Sequence, residues 1–239
     1  MPLPKISTPT YELVLPSTGK KVKYRPFLVR EEKILILALE SENTKQITTA
    51  IKSILKECIS TRGVKVDDLP TFDIEYLFLN IRGKSVGEAL DLMVTCPDDG
   101  ETQVPVKIFI DEIQVQKDSE HTQDIKLDDT LTLRMKYPSL NEFIQNNFDF
   151  SEDDSVDASF NIISSCIDQV YNEDESWAAS DCTKKELKEW IETLNTNQFK
   201  EVESFFTTMP KLSHTVKVKN PKTKVESDIT LEGLTSFFG

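Results

Sequence analysis

The chain has 239 residues, 38% of them hydrophobic and 29% charged, which is enough to bury a sizeable core in one large domain or two small ones. Its formal net charge of −13 disfavours a nucleic-acid backbone or an anionic membrane as partner and favours a basic one. The start Met1-Pro2-Leu3-Pro4-Lys5 has no apolar run behind its charge, and the densest apolar stretch is Ile34 to Leu39, so neither a signal peptide nor a membrane span is expected. In chain order, Tyr11–Leu15 and Val22–Phe27 flank Pro16-Ser17-Thr18-Gly19 and read as a hairpin. Arg30-Glu31-Glu32 opens a helix to about Glu40, apolar on all sides and hence expected to be buried. Thr44–Ser60 is a second helix with Ile47, Ile51, Ile54, Leu55, Cys58 and Ile59 on one stripe. Asp67-Asp68-Leu69-Pro70 opens a third, with Phe72, Tyr76, Leu77, Leu79 and Ile81 on its stripe.

A β-rich stretch follows. Ala89–Thr95 and Val104–Ile110 flank the turn signal Pro97-Asp98-Asp99-Gly100. Ile125–Leu127 and Leu131–Met135 alternate around Asp128-Asp129 and read as the second hairpin, with one wet face. Beyond Pro138 helices are expected at Leu140–Asn147, Val156–Tyr171, Lys184–Leu194 and Asn197–Thr207, with Thr183 and Glu186 forming a capping box. Thr215–Lys219 and Val225–Leu231 form the last hairpin around Asn220-Pro221-Lys222-Thr223. The segment from Val94 to Ile113 echoes that from Lys217 to Leu234, each reading as strand, X-Pro turn, strand, acidic residue, apolar residue.

Catalytic chemistry finds little to use. A nucleophile–base pair needs a side chain that moves a proton near neutral pH, and the only histidines, His121 and His214, sit in no nucleophile motif. Seven glycines are scattered singly, so no phosphate-binding loop exists. Cys96-Pro97-Asp98-Asp99-Gly100 has the shape of a zinc-ribbon knuckle with its second thiolate replaced by aspartate, and Asn220-Pro221-Lys222-Thr223 has neither thiol. Asp149, Ser151, Asp153, Ser155 and Asp157 alternate like a calcium loop, but Asp154 replaces the glycine and Phe160 the glutamate that such a loop requires. The four cysteines form no Cys-x-x-Cys pair, and Cys58 and Cys166 read as small core residues. No cofactor or metal is expected, and an enzyme would have to rest on a carboxylate pair brought together only in space.

The acidic segment is the distinctive feature. No Lys or Arg lies between Lys136 and Lys184, and the interval carries eleven carboxylates, −11 of the net −13. One reading is a solvated loop with helix caps. The other is a steering surface for a basic partner, built from Glu152, Asp153, Asp154, Asp157, Glu173, Asp174 and Glu175, with Trp177 as an aromatic anchor.

Longer strings of residues carry a resemblance. They are Ile167-Asp168-Gln169-Val170-Tyr171, then Thr183 to Leu194 leading into Asn197-Gln198-Phe199, and Phe205-Phe206-Thr207-Thr208-Met209-Pro210-Lys211-Leu212. In the N-terminal half they are Leu15-Pro16-Ser17, Tyr24-Arg25-Pro26-Phe27, Glu31-Glu32-Lys33 and Leu133-Arg134-Met135-Lys136-Tyr137-Pro138. In their order and spacing these resemble the baseplate hub family of T-even-like contractile-tailed bacteriophages, over nearly the whole chain. The resemblance implies a hub subunit or a hub-assembly factor with no catalytic residue. Its partners would be other phage hub or tape-measure proteins, met in the host cytoplasm during assembly. A second reading, from charge alone, is an acidic host-acting inhibitor that mimics nucleic acid. The expected fold is α+β, with three β-hairpins, a largely helical core and a helical C-terminal half. The parts would be 1–137, hairpin–helix–hairpin, and 138–239, helical and ending in a hairpin, with one integrated domain as the alternative.

Overall fold

A computed structural model describes residues 6–41, 43–139 and 156–237. The chain divides into two compact units. The first comprises Met1–Val66, Phe72–Gln116 and Lys211–Gly239; the second comprises Asp67–Thr71 and Lys117–Pro210.

The first unit opens with the hairpin of β1 (Tyr11–Val14) and β2 (Lys21–Tyr24), Leu13 opposite Val22. Helices α1 (Val29–Glu40) and α2 (Thr44–Cys58) follow, packed on each other. The α2 stripe is legible in the sequence: Ile51, Ile54, Leu55 and Cys58 are all buried. Helix α3 (Thr71–Val86) buries Phe72, Ile74, Leu77, Phe78, Leu79 and Ile81, apolar round most of its circumference, as befits a helix inside its unit. Its buried Asp73 accepts hydrogen bonds from the Ser17 N–H (3.1 Å) and hydroxyl, which ties the β1–β2 turn to α3. A Cβ on Gly83 would lie 3.0 Å from Ile110 Cδ1, so the missing side chain lets the Ile110–Glu112 turn close on α3.

Strands β3 (Ala89–Thr95) and β4 (Gln103–Phe109) form the next hairpin. Strand β5 (Gln114–Gln116) joins β10 (Lys211–Lys219), which pairs on its other side with β11 (Glu226–Glu232). The last turn is Leu234–Phe237, with Phe237 buried.

The second unit is built on an antiparallel sheet, β6 (Asp124–Lys126), β7 (Thr132–Met135), β8 (Ile167–Tyr171) and β9 (Ser176–Ala178), in that spatial order. Helices α4 (Val156–Ser165), α5 (Lys184–Ile191) and α6 (Thr196–Thr208) complete it. Its core joins Leu133, Met135, Ile163, Cys166, Ile167, Val170, Ile191, Val202 and Phe205, with Trp190 packed against it. The capping box on α5 forms: Thr183 N–H donates to the Glu186 carboxylate (2.7 Å), and Glu186 N–H donates to the Thr183 hydroxyl (3.2 Å).

Four expectations fail. The C-terminal half is not helical and the core is not largely so: among the described residues eleven strands form four sheets, and four of the strands, β8 to β11, lie beyond residue 138. The helix expected over 156–171 stops at Ser165, and Ile167–Tyr171 becomes a central strand. Ile167, Val170 and Tyr171 are β-branched or aromatic, and a place between two strands outweighs the helical spacing of the segment before them. Among the described residues the hairpins number five rather than three, because β3–β4 and β6–β7 are separate and β8–β9 adds another. Finally, α1 buries only Glu31, Leu35 and Ala38, while Val29 is 81% exposed and Leu37 55%. Its all-round apolar content reflects a second, uncovered face. The helix expected at Leu140–Asn147 lies outside the described residues, as does most of the calcium-like segment.

Candidate partner surface

Four of the residues singled out by charge and aromaticity meet on one hairpin. Between β8 and β9 the Asn172 side-chain oxygen accepts from the N–H groups of Asp174 (2.9 Å) and Glu175 (2.6 Å). The Asn172 N–H closes the turn on the Glu175 carbonyl (2.9 Å). An asparagine in this role fixes a tight turn by replacing a backbone acceptor. The consequence is a rigid tip on which Glu173, Asp174 and Glu175 are all exposed. Trp177 follows on β9, opposite Val170, and is 46% exposed. Among the described residues β9 pairs only with β8, at the edge of its sheet. Carboxylates, an indole and an open strand edge are thus presented within a few residues. Glu152, Asp153 and Asp154 lie outside the described residues, as does the side chain of Asp157, whose backbone is in the first turn of α4.

Beside this hairpin lies a cleft of about 580 Å³ lined by Lys136, Ser164, Asp168, Gln169, Cys182 and Lys184, among others. The two lysines that bound the acidic segment therefore both reach it. No histidine lines it.

The histidines are tied into structure. His121 stacks on Tyr137 and tilts against Phe205, with Nδ1 2.9 Å from the Thr208 hydroxyl and Nε2 3.0 Å from the Tyr137 hydroxyl. Thr208 donates its own proton to the Ser204 carbonyl (2.7 Å), so Nδ1–H donates to Thr208 and Nε2 accepts from Tyr137. Burial, helped by Lys117, holds the His121 pKa below its ordinary 6.5. A histidine kept neutral in the folded state adds stability above 6.5 that is lost as pH falls through its lowered folded pKa. Urea unfolding at pH 7.5 and 5.5 checks this: wild type should lose stability between the two, and His121→Gln should lose less. His214 rests its Nδ1 3.2 Å from the Glu112 carbonyl oxygen.

The Cys96 turn is the most elaborate side-chain cluster. Residues 96–100 and 220–224 share one backbone pattern: Gly100 N–H donates to Cys96 O (3.0 Å), and Lys224 N–H donates to Asn220 O (2.9 Å). Gly100 and Lys224 both have left-handed φ, 68° and 66°. The echo between the two segments is therefore a shared local structure, and the side chains of the turns interlock. The Asn220 amide, 1% exposed, donates to Asp98 (3.0 Å) and Asp99 (2.9 Å), while its oxygen accepts from Lys222 N–H (2.8 Å). Thr223 donates its hydroxyl to Asp98. The Thr223 hydroxyl and then the Asn220 amide hold Asp98 below the usual carboxylate range, and Thr102 with Asn220 holds Asp99 lower still. Burial, then the Asp98 and Asp99 charges, push the Cys96 thiol up, which keeps it protonated. Among the described residues no group of three or more His, Cys, Asp or Glu side chains is placed to hold a metal ion. No described helix is long and apolar enough to cross a membrane.

Sequence reasoning missed one cluster altogether. Glu31, 2% exposed, accepts from Arg25 (3.0 Å), Arg30 (2.6 Å) and the Leu28 N–H (2.6 Å). Its signal was a glutamate three residues after the helix start, where an N-terminal box places one.

The described residues thus expose a charged aromatic tip, a strand edge and an apolar helix face. A model of the T4 bacteriophage base plate protein family matches residues 8–239, and the chain belongs to that family. It is a T4-like baseplate protein. No curated protein and no solved structure matches it.

Proposed function

We propose that this baseplate protein works in the tail hub, as a hub subunit or as a chaperone of hub and tape-measure assembly, by binding other phage proteins in the host cytoplasm. The supporting observation is the β8–β9 tip, which sets Glu173, Asp174, Glu175 and Trp177 on a rigid turn at a sheet edge. Carboxylates steer a basic partner into encounter and a half-exposed indole supplies the anchoring area. The partner is therefore a phage protein with a basic patch flanking an apolar pocket. Family membership carries this reading over that of a host-acting inhibitor, which has no observation of its own in its favour.

Trp177→Ala should weaken binding of the captured tail partner by about thirty-fold, the loss expected of a central aromatic anchor. Reversing Glu173, Asp174 and Glu175 to lysine should slow association and remove its salt dependence. Thermal unfolding should scarcely move in either variant, since all four side chains are exposed. Unchanged partner binding in both would remove the tip from the interface. Mass spectrometry of purified virions separates the two roles, presence marking a subunit and absence a chaperone.

A further inference from the structure

Of the twelve large hydrophobic side chains exposed among the described residues, five fall within Leu28–Leu37: Leu28, Val29, Ile34, Ile36 and Leu37. Helical spacing sets Val29, Lys33, Ile36, Leu37 and Glu40 on one stripe, opposite the buried Glu31, Leu35 and Ala38. Exposed apolar patches of this kind mark sites of association. The helix is held rigid from behind by α2 and by the bonds of Arg25, Leu28 and Arg30 to Glu31, so its outer face is preorganised.

We infer that α1 pairs with α1 of a second copy of this chain. The choice of occupant rests on charge complementarity. An antiparallel pair about a two-fold axis between Ile36 and Leu37 sets Ile36 of one copy against Leu37 of the other, twice. The same axis sets Lys33 against Glu40, twice, so both charges in the apolar stripe meet their opposites. Neither Lys33 nor Glu40 has an ion pair within the chain among the described residues. On the exposed stripe Lys33 lies in the first half of the helix and Glu40 at its end, so a parallel pair in register would set like against like. Such an isologous contact closes on itself and gives a dimer rather than a filament. One helix pair buries less than the roughly 800 Å² per partner of a standard interface, so the dimer dissociates in the micromolar range.

Sedimentation velocity of the full chain at concentrations from about 1 to 100 µM tests this across the expected range. Wild type should shift reversibly from monomer to dimer. Leu37→Glu should stay monomeric with an unchanged circular dichroism spectrum, because Leu37 already faces solvent. Lys33→Glu and Glu40→Lys should each weaken the dimer about tenfold or more by opposing like charges. The double variant K33E/E40K should restore it, which no partner other than a second copy would require. A wild type monomeric throughout, a dimer indifferent to Leu37→Glu, or a double variant no stronger than the single ones would each overturn the inference. The hub reading is separate, since it is read from co-purification with tail proteins.

Discussion

Replacing Glu31 by alanine is expected to cost about 3 kcal/mol of stability, the loss typical of removing one partner from a buried ion pair. Three effects coincide at this carboxylate. It neutralises Arg25 at 3.0 Å, it holds Arg30 at 2.6 Å, and it caps α1 through the Leu28 N–H at 2.6 Å. Burial alone would raise the Glu31 pKa, but the Arg25, Leu28 and Arg30 bonds override it and hold the group down to about 2 from an ordinary 4.5. The folded pKa is depressed, so the stabilisation is present above 4.5 and is lost as pH falls toward 2. A shift of that size corresponds to about 3 kcal/mol, in accord with the mutational figure. Urea unfolding of wild type and Glu31→Ala at pH 7 and pH 3 measures it directly. The gap between them should narrow at the lower pH. An equal gap at both would mean that Glu31 acts by packing and not by charge.

Asn220→Ala should be nearly as damaging, at about 2–4 kcal/mol, because it removes hydrogen bonds to ionised acceptors from a buried site. The amide holds both Asp98 and Asp99, and its oxygen organises its own turn through Lys222 N–H and Thr223 N–H. Alanine would leave the two carboxylates facing each other without their shared donor. Asn220→Asp is the sharper comparison: it keeps the shape and the acceptor but adds a negative charge beside two others. It should destabilise at least as much as alanine at pH 7 and recover on acidification. Equilibrium urea unfolding of both variants checks the order; an Asn220→Asp protein as stable as wild type at pH 7 would contradict it.

Those two clusters also show what a sequence conveys. The hairpin at β3–β4 was legible because Pro97-Asp98-Asp99-Gly100 carries turn chemistry in consecutive residues, with Gly100 supplying φ 68°. The α5 box was legible because Thr183 and Glu186 act across a single helical turn. The α2 stripe was legible for the same reason, a local period. What escaped depends on pairing at long range. The sequence of β8 is compatible with helix until β7 and β9 flank it. Strand β5, three residues long, exists only through β10. Asn220 reaches aspartates more than a hundred residues away, and nothing near it in the chain announces them. The exposed face of α1 was misread because composition records how apolar a helix is and not which side meets the core.

The candidate surface was half legible. Charge and aromaticity pointed to Glu173, Asp174, Glu175 and Trp177, and the turn that groups them rests on Asn172, which no charge count would select.

Affinity capture of the tagged full chain from infected cells, with mass spectrometry of whatever is retained, shows most directly whether this baseplate protein acts by binding other tail proteins. Hub or tape-measure proteins should be retained, and less of them by Trp177→Ala. Recovery of the chain with no tail protein, from cells that are assembling tails, would contradict it.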